Sequence, residues 1–133
     1  AAVLDVKLRH LDEWNSRRQV LADAYAENLS ATGIQLPLCA DYADHVYHLY
    51  VIRHHQRGIL SECLAKTGVS TGLHYPVPVH RQPVMQGYIQ SKCKLPVTDQ
   101  VASECLSLPL HPCLSDEQQL QVCERLIKAL ETL

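Results

Sequence analysis

Apolar residues recur about every 3.6 positions through the first thirty residues, which predicts one long amphipathic helix over residues 3–31. Gly33 and Pro37 end this pattern, as expected of residues that terminate helices. The apolar face of the predicted helix consists of Leu4, Leu8, Leu11, Trp14, Leu21, Tyr25 and Leu29. A helix of about 28 residues would be about 42 Å long, which is longer than a small domain is wide. We therefore expect residues 1–32 to bridge to a missing large domain or to a partner chain, unless the helix bends around its own core.

Residues 45–53 are apolar on both faces and rich in β-branched and aromatic side chains, which predicts a central strand. The pattern predicts further strands over residues 69–73 and 106–110. It predicts short helices over residues 58–67 and 97–105. Their predicted inward faces consist of Ile59, Leu60, Cys63 and Leu64 in the first helix and of Val97, Val101, Ala102 and Cys105 in the second. Residues 81–95 lack clear periodicity and are predicted to form a loop.

A capping-box pattern, Ser115 followed three residues later by Gln118, opens a final amphipathic helix. The inward face predicted for that helix consists of Leu120, Cys123, Leu126, Ile127 and Leu130. Helices and strands therefore alternate along the chain, beginning and ending with a helix. This order predicts an α/β (α+β) sandwich, in which helices pack mainly on one face of a small three- to four-stranded sheet.

With 133 residues, 47% of them hydrophobic and 20% charged, the chain is suited to one folded domain over residues 1–133. Its net charge of −2 offers no basic surface for nucleic acid, so no nucleic-acid partner is expected. No apolar run is long enough to span a membrane, and charged residues interrupt the N-terminal apolar residues, which disfavours a signal peptide. We therefore expect a cytoplasmic protein. Since Ala1 already lies within a helical pattern, we also expect the sequence to start inside a longer one.

The six cysteines form no C-x-x-C pair, and most of them occupy apolar-periodic segments. They are Cys39, Cys63, Cys93, Cys105, Cys113 and Cys123. We expect reduced thiols that pack as small core side chains, although the even count leaves a disulfide framework open. Neither the cysteines nor the eight histidines show a zinc-finger spacing, so no metal site is predicted.

The most distinctive segment is residues 74–80, His-Tyr-Pro-Val-Pro-Val-His, which carries two imidazoles and a phenol on a proline-stiffened backbone. Such a segment can present side chains at the edge of a pocket with little conformational entropy left to lose. His74 and His80 are candidates for acid–base roles because imidazole titrates near neutral pH. The alternative is a loop whose histidines are merely solvated. No nucleophile motif, glycine-rich phosphate loop or paired carboxylates accompany the segment.

Three blocks of sequence, in this order, resemble the DegT/DnrJ/EryC1/StrS family of pyridoxal phosphate (PLP)-dependent sugar aminotransferases. The first block lies within residues 1–18, and the second combines residues 45–51 with residues 72–80. The third combines residues 95–97 with residues 106–112. The resemblance covers essentially the whole chain, and the His-Tyr-Pro-x-Pro-x-His block is its most diagnostic part.

The resemblance implies the C-terminal small domain of a fold-type I transferase, which moves an amino group onto a nucleotide-linked keto sugar through PLP held on a lysine. It implies that this domain packs on a large domain in a dimeric enzyme. By the match, His74 and Tyr75 are candidates for sugar or nucleotide contacts, and His80 is a candidate for shaping the pocket. The Schiff-base lysine belongs to the large domain in that family. We therefore expect neither a cofactor nor transamination from this chain alone.

A hypothesis from a different class is a non-catalytic assembly or binding module that reuses this fold and self-associates through its long helix. An enzyme fragment should expose the apolar stripe that met its large domain. An adapted module should instead interrupt the stripe with charge or bury it in a symmetric dimer. Leu4, Leu8 and Leu11 keep the stripe apolar, which favours self-association.

Overall fold

The computed structural model describes residues 1–85, 87–88 and 94–133. Its helices and strands, in chain order, are α1 (Ala2–Leu8), α2 (Leu11–Leu29), β1 (Tyr50–Arg53), α3 (Arg57–Lys66), α4 (Pro96–Glu104), β2 (Cys105–Leu108) and α5 (Asp116–Leu130). Short 3-10 turns occupy Ser30–Thr32, Val79–Arg81 and Pro83–Met85. Part of the loop predicted before α4 lies outside the described residues. The mixed fold class predicted from the sequence is confirmed.

The sheet has two strands in the described residues, and the prediction of three to four strands is wrong. Strands β1 and β2 are antiparallel, with Tyr50 opposite Leu108. Single-residue bridges extend this ladder on both sides, from Gln35 to β1 and from Gly72 to β2. Neither flanking segment continues as a strand. Pro37 lacks the N–H that a further pair beside Gln35 would need.

The strand predicted over residues 45–53 is confirmed only in its second half. Tyr47 has a φ of 47°, in the left-handed region that interrupts extended backbone. The Tyr47 N–H donates a 2.8 Å hydrogen bond to His45 Nδ1, which stabilises a local turn instead of a ladder. The alternation of buried and half-buried residues begins only at Tyr50.

The single N-terminal helix predicted from the sequence is two helices, which separate at Arg9 and His10. The apolar stripe changes character at the same place. Leu21 and Tyr25 of α2 are fully buried, whereas Leu4 and Leu8 of α1 are 64% and 63% exposed. Helix α2 packs on α5, and the Gln119 side chain of α5 donates a buried 2.6 Å hydrogen bond to the Leu21 carbonyl of α2. No residue of α1 is buried, so α1 has no such partner within the described chain.

The hydrophobic core lies between one face of the sheet and helices α2, α3 and α5, as predicted. Tyr50 and Ile52 of β1 are buried in this core, while Val51 and Arg53 lie on the opposite, half-buried face. The largest fully buried side chains are Tyr25, Tyr50, Leu21, Leu29, Ile52, Leu60, Leu64, Leu106, Leu126 and Cys123. Helix α4 packs on β1 outside this core, and its position creates the candidate site described below.

Several inward faces predicted for the helices are partly wrong. Ile59, Leu120 and Val97 are 50%, 47% and 71% exposed. Each of these residues lies at the margin of an apolar stripe. There, a rotation of the helix by the angle between successive residues moves a side chain from the core to the surface. The capping box at the start of α5 is confirmed, since the Ser115 hydroxyl accepts from the Gln118 N–H and the Gln118 side chain accepts from the Ser115 N–H.

The cysteines in the described residues are free thiols, but they do not all lie in the core. Cys105 and Cys123 are buried, and Cys63 is half-buried. Cys39 and Cys113 are exposed, which contradicts their prediction as core side chains. The remaining cysteine of the sequence lies outside the described residues. Across the same described residues, none of the helices combines the length and the apolar character needed to traverse a bilayer.

Candidate functional site

An open groove of about 380 Å³ lies between the outer face of β1, helix α4 and the start of the proline-stiffened segment. We call it the His74 groove. Its lining residues are Val51, His74, Tyr75, Val97, Thr98, Val101, Ala102 and Cys105. Most of these side chains are apolar, and the imidazole and phenol are the polar groups with the longest reach. A mostly apolar groove with a few convergent polar groups is the usual form of a small-molecule site.

His74 is held by β2. Its Nδ1 lies 2.9 Å from the hydroxyl oxygen of Ser107, which is itself buried. Ser107 also exchanges backbone hydrogen bonds with Gly72, at 3.0 Å and 2.8 Å, so the chain is anchored to the sheet two residues before His74. The imidazole as a whole remains exposed at the groove.

Tyr75 is 75% exposed, and its ring stands edge-on to that of His74 with the centroids 5.7 Å apart. The following Pro76 fixes the backbone φ and limits the directions in which the segment can move. The phenol is thus presented to solvent beside the groove on a stiff backbone. The structure brings His74 and Tyr75 together, as the sequence suggested.

His80 lies behind the groove wall and does not line it. Its side chain is 6% exposed, and its Nε2 is 3.0 Å from Asp99 Oδ1. This contact is an ion pair when the imidazole is protonated, but its angle is not that of a hydrogen bond. Arg81 binds the same carboxylate through Nε at 3.1 Å and Nη2 at 2.7 Å. The hydrogen bond from Arg81 lowers the pKa of Asp99, and both basic residues tie their 3-10 turn to α4.

A second open groove, of about 370 Å³, lies along the exposed N-terminal helices. We call it the α1–α2 groove. It is lined by Leu4, Lys7, Leu8, Leu11, Trp14, Asn15, Arg18, Val46 and His48. The Arg18 Nε at its edge is buried without a hydrogen-bond partner among the described residues. Apolar walls and an unsatisfied donor are typical of a surface that another part of a protein covers.

The described lysines lie outside the lining of the His74 groove. Lys7, Lys66, Lys94 and Lys128 are all exposed, and none lines the His74 groove. That groove also contains no acidic side chain that could pair with a pyridine nitrogen. Within the part of the chain that the structure describes, no cluster of three histidine, cysteine or acidic side chains is placed to hold a metal ion.

Comparison with known proteins places the chain in a family. Residues 1–127 match the DegT/DnrJ/EryC1/StrS aminotransferase family, and the chain belongs to it. The erythromycin biosynthesis sensory transduction protein EryC1 of Saccharopolyspora erythraea is 46% identical over 88% of this chain and 32% of its own length. The dTDP-3-amino-3,4,6-trideoxy-alpha-D-glucose transaminase of Streptomyces venezuelae is 42% identical over 93% of this chain and 33% of its own length. The chain therefore spans about a third of these curated relatives.

Solved structures give the same result for the fold. The crystal structure of S. venezuelae DesV in complex with a ketimine intermediate has a TM-score of 0.94 and 39% identity, covering 99% of this chain and 36% of DesV. The structure of NtdA from Bacillus subtilis with bound cofactor PMP has a TM-score of 0.79 and 31% identity, covering 92% of this chain and 29% of NtdA. Both the family and the fold expected from the sequence resemblance are thus confirmed. The family's enzymes are PLP-dependent, and the relatives include nucleotide-sugar aminotransferases.

Proposed function

We propose that this chain is the C-terminal small domain of a PLP-dependent aminotransferase acting on nucleotide-linked keto sugars. The observation that carries the proposal is the match of nearly the whole chain to DesV, a protein captured with a ketimine intermediate. The S. venezuelae relative named as a transaminase of a dTDP-linked sugar points to the same substrate class. Because the chain spans about a third of its relatives' length, we propose that it supplies part of the active site and not all of it.

We propose that this chain supplies the part of the active site that contacts the substrate. His74 and Tyr75 contact the sugar or the nucleotide, since they are exposed and carry the polar groups with the longest reach at the His74 groove. The apolar walls formed by Val97 and Val101 suit the flat face of a sugar or base. His80 shapes the pocket indirectly, because its contact with Asp99 fixes the position of the first turn of α4.

The cofactor chemistry belongs to residues outside this sequence. When bound to an enzyme of this class, PLP serves as the electron sink for transamination and requires a lysine and an acidic partner near its ring. The described lysines are exposed, and none of them lines the His74 groove. We therefore propose that these 133 residues alone do not catalyse transamination.

The α1–α2 groove is the surface that we propose to contact the large domain. Leu4 and Leu8 of α1 and Leu11 at the start of α2 are 64%, 63% and 41% exposed there, an unusual concentration of exposed leucine on one surface. Residues 1–32 would then bridge the two domains, as the sequence suggested. We propose that the complete enzyme is a dimer in the cytoplasm, where exposed thiols such as Cys39 and Cys113 stay reduced.

The second candidate function is a non-catalytic assembly module that self-associates through the α1–α2 groove. The exposed leucines of that groove support it equally well, because an apolar stripe can meet a second copy as well as a large domain. The two candidates differ at the His74 groove. An assembly module needs no ligand there, whereas the enzyme domain does.

A nuclear magnetic resonance titration of the isotope-labelled chain with thymidine diphosphate glucose tests the leading proposal. We expect the signals of His74, Tyr75 and Thr98 to shift and those of α1 to remain unchanged. The Tyr75→Ala variant should weaken binding, whereas Tyr42→Ala removes a tyrosine that is 94% exposed elsewhere and serves as the control. Absence of shifts around the His74 groove at saturating sugar nucleotide would contradict the proposal and favour the assembly module.

A further inference from the structure

Gly72 lies directly beneath the imidazole of His74. A Cβ atom built on Gly72 would lie 2.5 Å from Cε1, 3.1 Å from Nδ1 and 3.5 Å from Nε2 of that ring. Real Cβ atoms do not approach other heavy atoms as closely as the first of these distances. The imidazole therefore occupies space that only a glycine at position 72 leaves open. The requirement is one of volume, since Gly72 does not have the positive φ of Gly33 and Gly68.

Ser107 holds the same ring through a hydrogen bond. Its hydroxyl is 2.9 Å from His74 Nδ1, and this is the hydroxyl's hydrogen-bond partner among the described residues. Ser107 is 4% exposed on a strand whose four residues are all buried, so its hydroxyl has little access to water. A buried hydroxyl without a partner is costly, which makes the contact with Nδ1 strongly preferred over other ring orientations.

The two contacts reinforce each other through the backbone. The Gly72 N–H donates to the Ser107 carbonyl at 3.0 Å, and the Ser107 N–H donates to the Gly72 carbonyl at 2.8 Å. The residue that makes room for the ring and the residue that binds it are therefore held in register by the bridge. A ring displaced from the space above Gly72 would also change its distance to the Ser107 hydroxyl.

We infer that Gly72 and Ser107 are positioning residues for the His74 imidazole. They hold the ring with Nδ1 hydrogen bonded to Ser107 and Nε2 available to bind a ligand. The inference rests on the proposed function only for the identity of that ligand, the sugar nucleotide. The hydroxyl of Ser107 can donate to Nδ1 or accept from it, so Nδ1 is hydrogen bonded to the protein in either tautomer and Nε2 is the ring nitrogen that a ligand meets. The consequence is a fixed ring orientation at the rim of the His74 groove.

The experiment measures the nitrogen-15 chemical shifts of the His74 ring in the full chain without any ligand, because these shifts report tautomer and hydrogen bonding. In the wild-type protein, we expect the difference between the Nδ1 and Nε2 shifts to depart from its value in the urea-unfolded chain at the same pH. Ser107→Ala removes the partner of Nδ1, and Gly72→Ala pushes the ring away from it. Both variants should move the difference toward the unfolded value.

Two matched variants serve as controls. Gly58→Ala adds a methyl group where nothing lies within 4 Å, and Ser61→Ala removes a hydroxyl that pairs with Thr71 instead of His74. Neither control should change the His74 shifts. Backbone amide spectra establish that each variant is folded, and Gly72→Ala keeps the test decisive if Ser107→Ala does not fold. Unchanged His74 shifts in Gly72→Ala, or in a folded Ser107→Ala, would overturn the inference. Because no ligand is present, a failed sugar-nucleotide titration would leave this result unaffected.

Discussion

The rings of Tyr25 and Tyr50 pack together in the core with their centroids 4.8 Å apart, yet only one of the two hydroxyls has a hydrogen-bond partner among the described residues. Tyr25 Oη donates to the Pro109 carbonyl at 2.8 Å, which ties α2 to the segment after β2. Tyr50 Oη is buried without a partner among the described residues. We therefore expect the Tyr25 hydroxyl to stabilise the fold and the Tyr50 hydroxyl to destabilise it, although both lie in the same apolar environment.

Removing these two hydroxyls should have different effects on the free energy of unfolding. Tyr25→Phe leaves the Pro109 carbonyl without its donor and should cost about 1–2 kcal/mol. Tyr50→Phe removes a buried polar atom that has no partner and should be neutral or stabilising by about 1 kcal/mol. Burial raises the pKa of both phenols, so both are neutral at the neutral pH of the measurement. Urea unfolding measures both values, and equal losses in the two variants would contradict the structure.

The parts of the fold that depend on residues close together in the sequence were predictable from that sequence. The capping box of Ser115 and Gln118 is complete within four residues, and Gly33 ends the 3-10 turn that follows α2 with a φ of 75°. The break between α1 and α2 at Arg9 and His10 was not predictable from the sequence pattern. Both residues are compatible with a helix, and the apolar period continues through them, so nothing local marks the end of α1.

The candidate site was predictable only in part, for the same reason. His74 and Tyr75 are adjacent in the sequence and carry recognisable chemistry. Ser107 is 33 residues from His74 and was predicted as an ordinary strand residue, because nothing in its neighbourhood indicates that its hydroxyl meets an imidazole. Val51 and Thr98 come from two further elements of the groove. Their meeting depends on how α4 packs on β1, which hydrophobic period alone does not determine.

Stability at acid pH should depend on Glu104. The hydrogen bond from Gln100, and after it the one from Arg53, lower the pKa of the Glu104 carboxyl below its ordinary value of 4.5. A lowered pKa in the folded state means that the carboxylate stabilises the fold above the unfolded pKa, and this stabilisation is lost as pH falls through the folded pKa. The free energy of unfolding should therefore decrease below pH about 4.5.

A matched pair of variants isolates this contribution. Glu104→Gln should unfold with a smaller dependence on pH in the acid range than the wild-type protein. Glu62→Gln removes an exposed carboxylate on α3 and should leave the dependence unchanged. Urea unfolding at a series of pH values gives the slopes, and identical slopes in Glu104→Gln and the wild-type protein would exclude the Glu104 contacts as their source.

The wall of the His74 groove should loosen when Asp99 is neutralised. This carboxylate binds Arg81 at 2.7 Å and lies 3.0 Å from His80, so it links the 3-10 turn Val79–Arg81 to α4. We expect Asp99→Asn to speed hydrogen exchange at the amides of Arg81 and Gln82, which donate within that turn. Asp5→Asn, which breaks the exposed pair with Arg9 on α1, is the control. Unchanged exchange in Asp99→Asn would show that other contacts hold the turn.

A charge placed in the α1–α2 groove should reduce association of the chain. Leu8→Glu introduces a carboxylate into the apolar lining of that groove. Val6→Glu changes a residue of the same helix that is 56% exposed and does not line the groove. If the groove is an interface between copies, analytical ultracentrifugation should show dimers that Leu8→Glu dissociates and Val6→Glu preserves. Equal effects of the two variants would indicate that the groove plays no part in association.

We propose that this chain carries the substrate side of an aminotransferase site but none of the chemistry that holds PLP. Mixing the chain with PLP, reducing with borohydride and mapping the product by peptide mass spectrometry tests that claim most directly. The full-length relative from S. venezuelae, which was crystallised with a ketimine intermediate, is the positive control. We predict no aldimine absorbance band and only trace, scattered labelling of exposed lysines such as Lys66 and Lys128. One equivalent of pyridoxyl group on a single lysine would contradict the account.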